Sequence, residues 1–139
     1  MNIELEKELN NLEKREPLSN DTCEKLLGLL PKNIPSDYIG FIKTHSGGAF
    51  GFLGEYYIDF TGIDYFLEWN KEDNNYREII PNIFLFASDG GGTGFAFVVE
   101  DTSAKYYELP LILDNQDELI FSGNTFNEFL IYFINKFNR

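Results

Sequence analysis

A protein nucleophile needs a base to activate it, and this sequence offers one histidine, His45, and one cysteine, Cys23. His45 stands at the end of a helical pattern, just before Ser46-Gly47-Gly48. An imidazole there meets the last helix carbonyls and the negative end of the helix dipole, so capping outweighs catalysis. Cys23 falls on an apolar helical stripe and reads as a small core residue. Being single, it forms no intramolecular disulfide. A zinc site needs about four Cys or His ligands, or three with an open position, and no stretch carries the alternating Asp/Asn pattern of a calcium loop. No metal and no cofactor is expected.

The run Gly90-Gly91-Gly92-Thr93-Gly94 invites an anion-binding reading, because successive backbone N–H groups can cradle a phosphate. A phosphate loop, however, carries a lysine and opens a helix, whereas the residues after Gly94 have the pattern of a strand. The run reads instead as a tight connection whose glycines take positive φ. The many carboxylates make an acid/base pair easy to draw, as in a glycosidase, but no motif supports one, and an enzyme is not expected.

What remains is a set of aromatics beside acids: Glu55-Tyr56-Tyr57, Asp64-Tyr65, Glu68-Trp69 and Tyr106-Tyr107-Glu108. In a strand, one of each adjacent tyrosine pair faces the core and the other the solvent. Tyr and Trp anchor protein interfaces, and neighbouring carboxylates steer a basic partner. Glu55, Tyr57, Asp64, Glu68, Trp69 and Asp73 are the candidate partner-binding residues. With 11 basic and 23 acidic residues the formal charge is -12, which opposes nucleic acid and anionic membrane as partners.

The elements that must position these residues follow from periodicity. Leu5, Leu9 and Leu12 at helical spacing predict a short amphipathic helix, stopped by Pro17. Asp21 and Glu24 in capping-box relation, followed by Cys23, Leu26, Leu27 and Leu30, predict a second helix ending at Pro31. Pro35 preorganises the first turn of a third, with Tyr38, Phe41, Ile42 and His45 on one face and Gly47-Gly48 at its end. From Ala49 the period changes to alternation, with Tyr56, Ile58 and Phe60 on a strand.

The polar run from Asn70 to Asn75 reads as an exposed loop. Ile83 to Phe86 and Phe95 to Val99 predict paired central strands, with Tyr106 to Leu109 and Leu119 to Phe121 adding more. Thr125 and Glu128 in capping-box relation open a last helix carrying Phe126, Phe129, Leu130, Phe133, Ile134 and Phe137 on one face. Helices, then strands, then a helix, without regular alternation, predict a single α+β domain. With 43% hydrophobic residues and no apolar run long enough for a membrane span, the chain is expected to fold alone in a reducing cytosol.

Four segments in this order resemble the SUKH superfamily of bacterial immunity proteins. They are Leu30-Pro31 with Ile34-Pro35-Ser36-Asp37-Tyr38 and Phe41-Ile42; His45-Ser46-Gly47-Gly48; Ile83 to Phe97 with Asp89-Gly90-Gly91-Gly92; and Thr125 to Leu130. The resemblance implies an α+β domain with a mixed, strongly bent sheet packed by helices, over residues 19–139. Residues 1–18, an N-terminal helical segment, lie outside the pattern. Bacterial relatives are thought to neutralise nuclease or other toxin domains, and a fungal relative regulates cell-wall synthesis. The shared residues, Pro35, Asp37, Gly47, Gly48, Asp89, Gly90 and Gly91, are structural, and no catalytic set carries over.

The resemblance and the charge together predict a cytoplasmic, non-enzymatic immunity protein, monomeric or weakly dimeric, that binds a cognate basic toxin domain. The alternative is an intracellular scaffold or regulatory protein with the same fold.

Overall fold

The computed structural model describes residues 3–71 and 74–138. It opens with helix α1 (Ile3–Asn10), whose Leu5 and Leu9, followed by Leu12, are buried in the main core. A two-residue strand β1 (Glu13–Lys14) follows. Helix α2 (Asn20–Leu27) is capped by Ser19, whose side chain accepts the Thr22 N–H, and not by Asp21, which lies inside the first turn. No residue of α2 is fully buried, and Cys23 is half-buried instead of belonging to the core. Helix α3 (Ser36–Thr44) buries Tyr38, Phe41 and Ile42 and begins at Pro35, as its spacing predicts.

The expected glycine stop after α3 is replaced by another device. The helix ends at Thr44 with His45 as its cap, and Gly47 and Gly48 serve the sheet. A Cβ on Gly47 would run into the Glu16 carbonyl, and Gly48 takes φ +91° at the start of β2. Glycine here allows three backbone segments to approach one another closely.

The strands are β1, β2 (Gly48–Leu53), β3 (Tyr56–Thr61), β4 (Ile83–Ser88), β5 (Thr93–Val99), β6 (Ala104–Pro110) and β7 (Ile120–Gly123). They lie in the sheet in chain order. Every pairing is antiparallel, which corrects the mixed sheet that the resemblance implies. A parallel neighbour needs a crossover carrying the chain back to the strand's starting end. Here the two long excursions, 15–47 and 62–82, each hold two helices and deliver the chain to the end it left. The second contains α4 (Ile63–Trp69) and α5 (Asn75–Ile79).

The middle of the sheet is covered on both faces. Ile83 to Ala87 are all buried, so β4 reads as a continuous apolar run. One face carries Phe84, Phe86, Phe95, Phe97 and Tyr106 against α1, α3 and the last helix α6 (Phe126–Ile134). Phe86 is the hub of this core, with the rings of Tyr38, Phe60, Phe97, Tyr106, Phe126 and Phe129 at centroid distances of 5.1 to 6.3 Å. The other face carries Ile83, Leu85, Ala96 and Leu109 under Trp69, Tyr76, Ile79, Ile80 and the 111–119 connection.

Two further expectations need correction. Asn70 is not in an exposed loop: it is buried and its side chain joins α4 to β4, donating to Phe66 O (2.9 Å) and Leu85 O (2.7 Å) and accepting from Leu85 N–H (2.8 Å). In the glycine run only Gly90 has positive φ. The turn is organised by Asp89, whose carboxylate accepts the N–H groups of Gly91 (2.8 Å) and Thr93 (3.2 Å). Those amides are therefore occupied and offer no anion cradle.

Candidate functional site

Two of the hollows lined by described residues stand out as able to receive part of another molecule. The larger, about 730 Å³, lies among α1, α3 and the start of α6, with Leu9, Asp37, Phe41, Thr44, His45 and Phe126 in its walls. Among its polar groups, Asp37, Thr44 and His45 are already engaged. Asp37 accepts from Tyr38 N–H, Tyr106 O–H and Phe126 N–H. His45 Nδ1 lies 2.8 Å from Thr44 Oγ1 and 3.1 Å from Phe41 O, and its ring stacks on Phe41. This is the capping role predicted for the histidine, and burial lowers its pKa in keeping with a neutral ring.

The second hollow, about 590 Å³, opens between β3, α4 and the end of β4, and its walls include Arg15, Asp59, Asp64, Tyr65, Trp69 and Tyr76. Strand alternation builds one wall. Ile58 and Phe60 point into the core, which turns Tyr57, Asp59 and Thr61 to the opposite face. Helix α4 builds the other: Ile63 and Phe66 are buried, leaving Asp64, Tyr65 and Glu68 exposed.

Arg15 spans the cleft's inner edge. Its two guanidinium nitrogens meet the two Asp59 oxygens at 2.8 Å each, and its guanidinium carbon stands 4.6 Å from the Phe50 ring centroid. Hydrogen bonding to Asp59 raises the Arg15 pKa further. Across the cleft the Tyr65 and Trp69 rings pack at 5.6 Å. Tyr76 fixes its hydroxyl by donating to Leu111 O at 2.8 Å, and burial raises its pKa. Asp64 accepts only the N–H of Tyr65 (2.9 Å), and among the described residues no basic side chain pairs with it.

The structure thus gathers some of the candidate residues and separates others. Asp64 and Trp69 line the cleft. Tyr57 is half-buried on the same face, its ring next to Gly90 and edge-on to the exposed Phe52 at 6.0 Å. Glu68 is exposed on α4 but pairs with Lys71 at 2.8 Å. Glu55 sits in the β2–β3 turn, where Gly54 packs on Ile134, and is not part of the cleft. Asp73 lies outside the described residues.

Sequence reasoning missed Arg15, Asp59 and Tyr76. Alternation along β3 could have found Asp59 on the face of Tyr57, but nothing local links residue 15 to residue 59. The rule of one tyrosine in and one out holds for Tyr106 and Tyr107 but not for Tyr56 and Tyr57. Tyr56, at the sheet's end, remains 42% exposed beneath Lys136, 5.9 Å from its ring.

Among the described residues no three His, Cys, Asp or Glu side chains converge as a metal ion would require. None of the described helices is long and apolar enough to cross a membrane. The arrangement offers an exposed aromatic wall, a guanidinium already seated on a carboxylate, and one unpaired acid, which suits recognition of a protein surface.

Comparison with known protein families matches residues 17–131 of the chain to the SMI1 / KNR4 family (SUKH-1). No curated protein matches the sequence. The matched stretch holds α2 through most of α6, while α1, β1 and Arg15 precede it.

Proposed function

Because the chain belongs to the SMI1 / KNR4 family (SUKH-1), a family of immunity and regulatory domains, we propose that it is an immunity protein that binds a cognate toxin domain and blocks it without catalysis. The single observation that carries this reading is the cleft of Asp59, Asp64, Tyr65 and Trp69 on a protein of charge -12. Aromatic side chains supply large contact area at low entropic cost, and the net charge accelerates encounter with a basic partner. A nuclease fits best, since its substrate groove must be positively charged to hold phosphates. Covering that groove excludes the nucleic acid by simple competition.

The test is survival of bacteria expressing a candidate toxin domain encoded beside this protein, with and without the protein itself. Rescue together with a stoichiometric complex on gel filtration is the expected result. Failure of both, or a toxin inactivated in the absence of any complex, overturns the reading.

A further inference from the structure

The Arg15–Asp59 contact shows what this face of the protein can hold. A guanidinium lies in a fork-to-fork bond with a carboxylate while its carbon faces an aromatic ring, and the two side chains remain 41% and 32% exposed. The seat is made by two adjacent strands, β2 with Phe50 and β3 with Asp59, and is filled from within the chain by Arg15, which follows β1.

A few residues along, the same ingredients recur without an occupant from the chain. Asp64 stands on the first turn of α4 with no basic partner among the described residues. Tyr65, 56% exposed, and Trp69 present packed rings beside it. The cleft of about 590 Å³ has room for a side chain and its flanking backbone. A charge of -12 repels phosphates and a second copy alike, and favours a cation. Between the two basic side chains, the planar guanidinium stacks on aromatic rings and forks onto a carboxylate, whereas the compact ammonium does neither as well.

We propose that Asp64, Tyr65 and Trp69 form a second guanidinium seat, beside the one Arg15 fills, that receives an arginine side chain projecting from a basic partner protein. This rests on the protein-binding reading above and specifies which chemical group of the partner enters the cleft.

The chain's single tryptophan is Trp69, so its fluorescence reports on the cleft directly. The full-length protein is titrated at low salt with the peptide amides Gly-Arg-Gly, Gly-Lys-Gly and Gly-Gly-Gly. Expected is a saturable change with the arginine peptide, a weaker response to lysine, and none with glycine. In Asp64→Asn, where the amide oxygen can still accept the Tyr65 N–H, affinity for the arginine peptide falls about tenfold, the loss of one charge-assisted contact. Asp21→Asn, an acid on α2, leaves it unchanged.

No saturable response, or an equal response in Asp64→Asn, overturns the proposal. Dissociation of Asp64→Asn from the toxin complex separates the two readings. A complex that forms and dissociates as wild type rejects the arginine seat and keeps the immunity function. Arginine-peptide binding without any toxin complex or rescue does the reverse.

Discussion

The carboxylate of Asp37 accepts the backbone N–H of Phe126 at 2.8 Å, tying the first turn of α3 to the first turn of α6 across 89 positions of sequence. Its other oxygen takes the Tyr38 N–H (2.8 Å) and the Tyr106 hydroxyl (3.1 Å), so one side chain caps two helices and anchors β6. Both helix termini would otherwise leave amides unpaired.

Replacing Asp37 with alanine therefore strands three donors at once. The expected loss is about 2–4 kcal/mol of unfolding free energy, read from urea denaturation at unchanged m. Asp37→Asn keeps acceptor capacity on one oxygen and should fall between the two. An Asp37→Ala protein as stable as wild type would show that the clasp contributes nothing net.

Tyr38 presents the opposite case. It is 1% exposed among Phe66, Phe86, Phe97 and Phe126, and among the described residues its hydroxyl meets no hydrogen-bond partner of good geometry. Burial drives its pKa upward, and the nearby Thr61 hydroxyl, which donates to Phe86 O, offsets only a part. An unpaired buried hydroxyl is a liability. Tyr38→Phe should thus leave stability unchanged or raise it by about 1 kcal/mol, measured as a shift in thermal midpoint. A loss of that size would mean the hydroxyl is bonded in solution.

Asn70 carries three hydrogen bonds from a buried position between α4 and β4, where the register of β4 with β5 shifts between Leu85 and Ala87. Asn70→Ala leaves the Leu85 N–H and C=O without a partner in a dry site. The expected cost is about 2–4 kcal/mol. Faster amide hydrogen exchange at Leu85 is the specific signature.

These residues mark where sequence legibility ends. The α3 stripe, the β4 and β5 runs and the Thr125 cap of α6 could be read because periodicity and capping act over a few residues. Even there Glu128 reaches back to the Asn124 N–H and not to that of Thr125. Asn70 stood in a polar run and passed for loop, since its burial is decided by Leu85, fifteen residues away. The cleft was half legible: the acids and rings of α4 declare themselves, while the Arg15–Asp59 pair is a tertiary event with no local trace. Ser19 replaces Asp21 as the α2 cap because the helix begins two residues earlier than an Asp21 cap would place it.

The pH dependence of stability should carry a His45 component. Burial lowers its pKa below the ordinary 6.5, the Phe41 carbonyl opposes the shift, and Lys14 adds to it. The unfolded chain then binds this proton more readily than the folded one. Stability from the neutral ring is present above pH 6.5 and is lost as the pH falls through the folded value. Between pH 7.5 and 5.5 the wild type should lose more unfolding free energy than His45→Gln. Parallel profiles would show that His45 titrates alike in both states.

Charge reversal separates the acids of α4 by function. Asp64 is unpaired in the cleft, whereas Glu68 already faces Lys71. On the immunity reading, Asp64→Lys slows association with a basic toxin severalfold at low salt, by about the factor expected for an interface charge. Glu68→Lys slows it less, and the difference shrinks as salt rises. Stopped-flow rates at two ionic strengths decide between this order and equal effects.

The order of strands in the sheet bears on how the chain is made. Since each strand pairs with its neighbour in sequence, the β2–β3, β4–β5 and β5–β6 pairs can close as local hairpins as residues leave the ribosome, whereas β1–β2 and β3–β4 each wait for a long excursion to close. Yet Phe126, Phe129 and Phe133, which follow every strand in the sequence, fill the main core, and the Asp37 clasp waits for Phe126. Until α6 emerges, the nascent protein displays an open aromatic face, the period in which it most needs a chaperone.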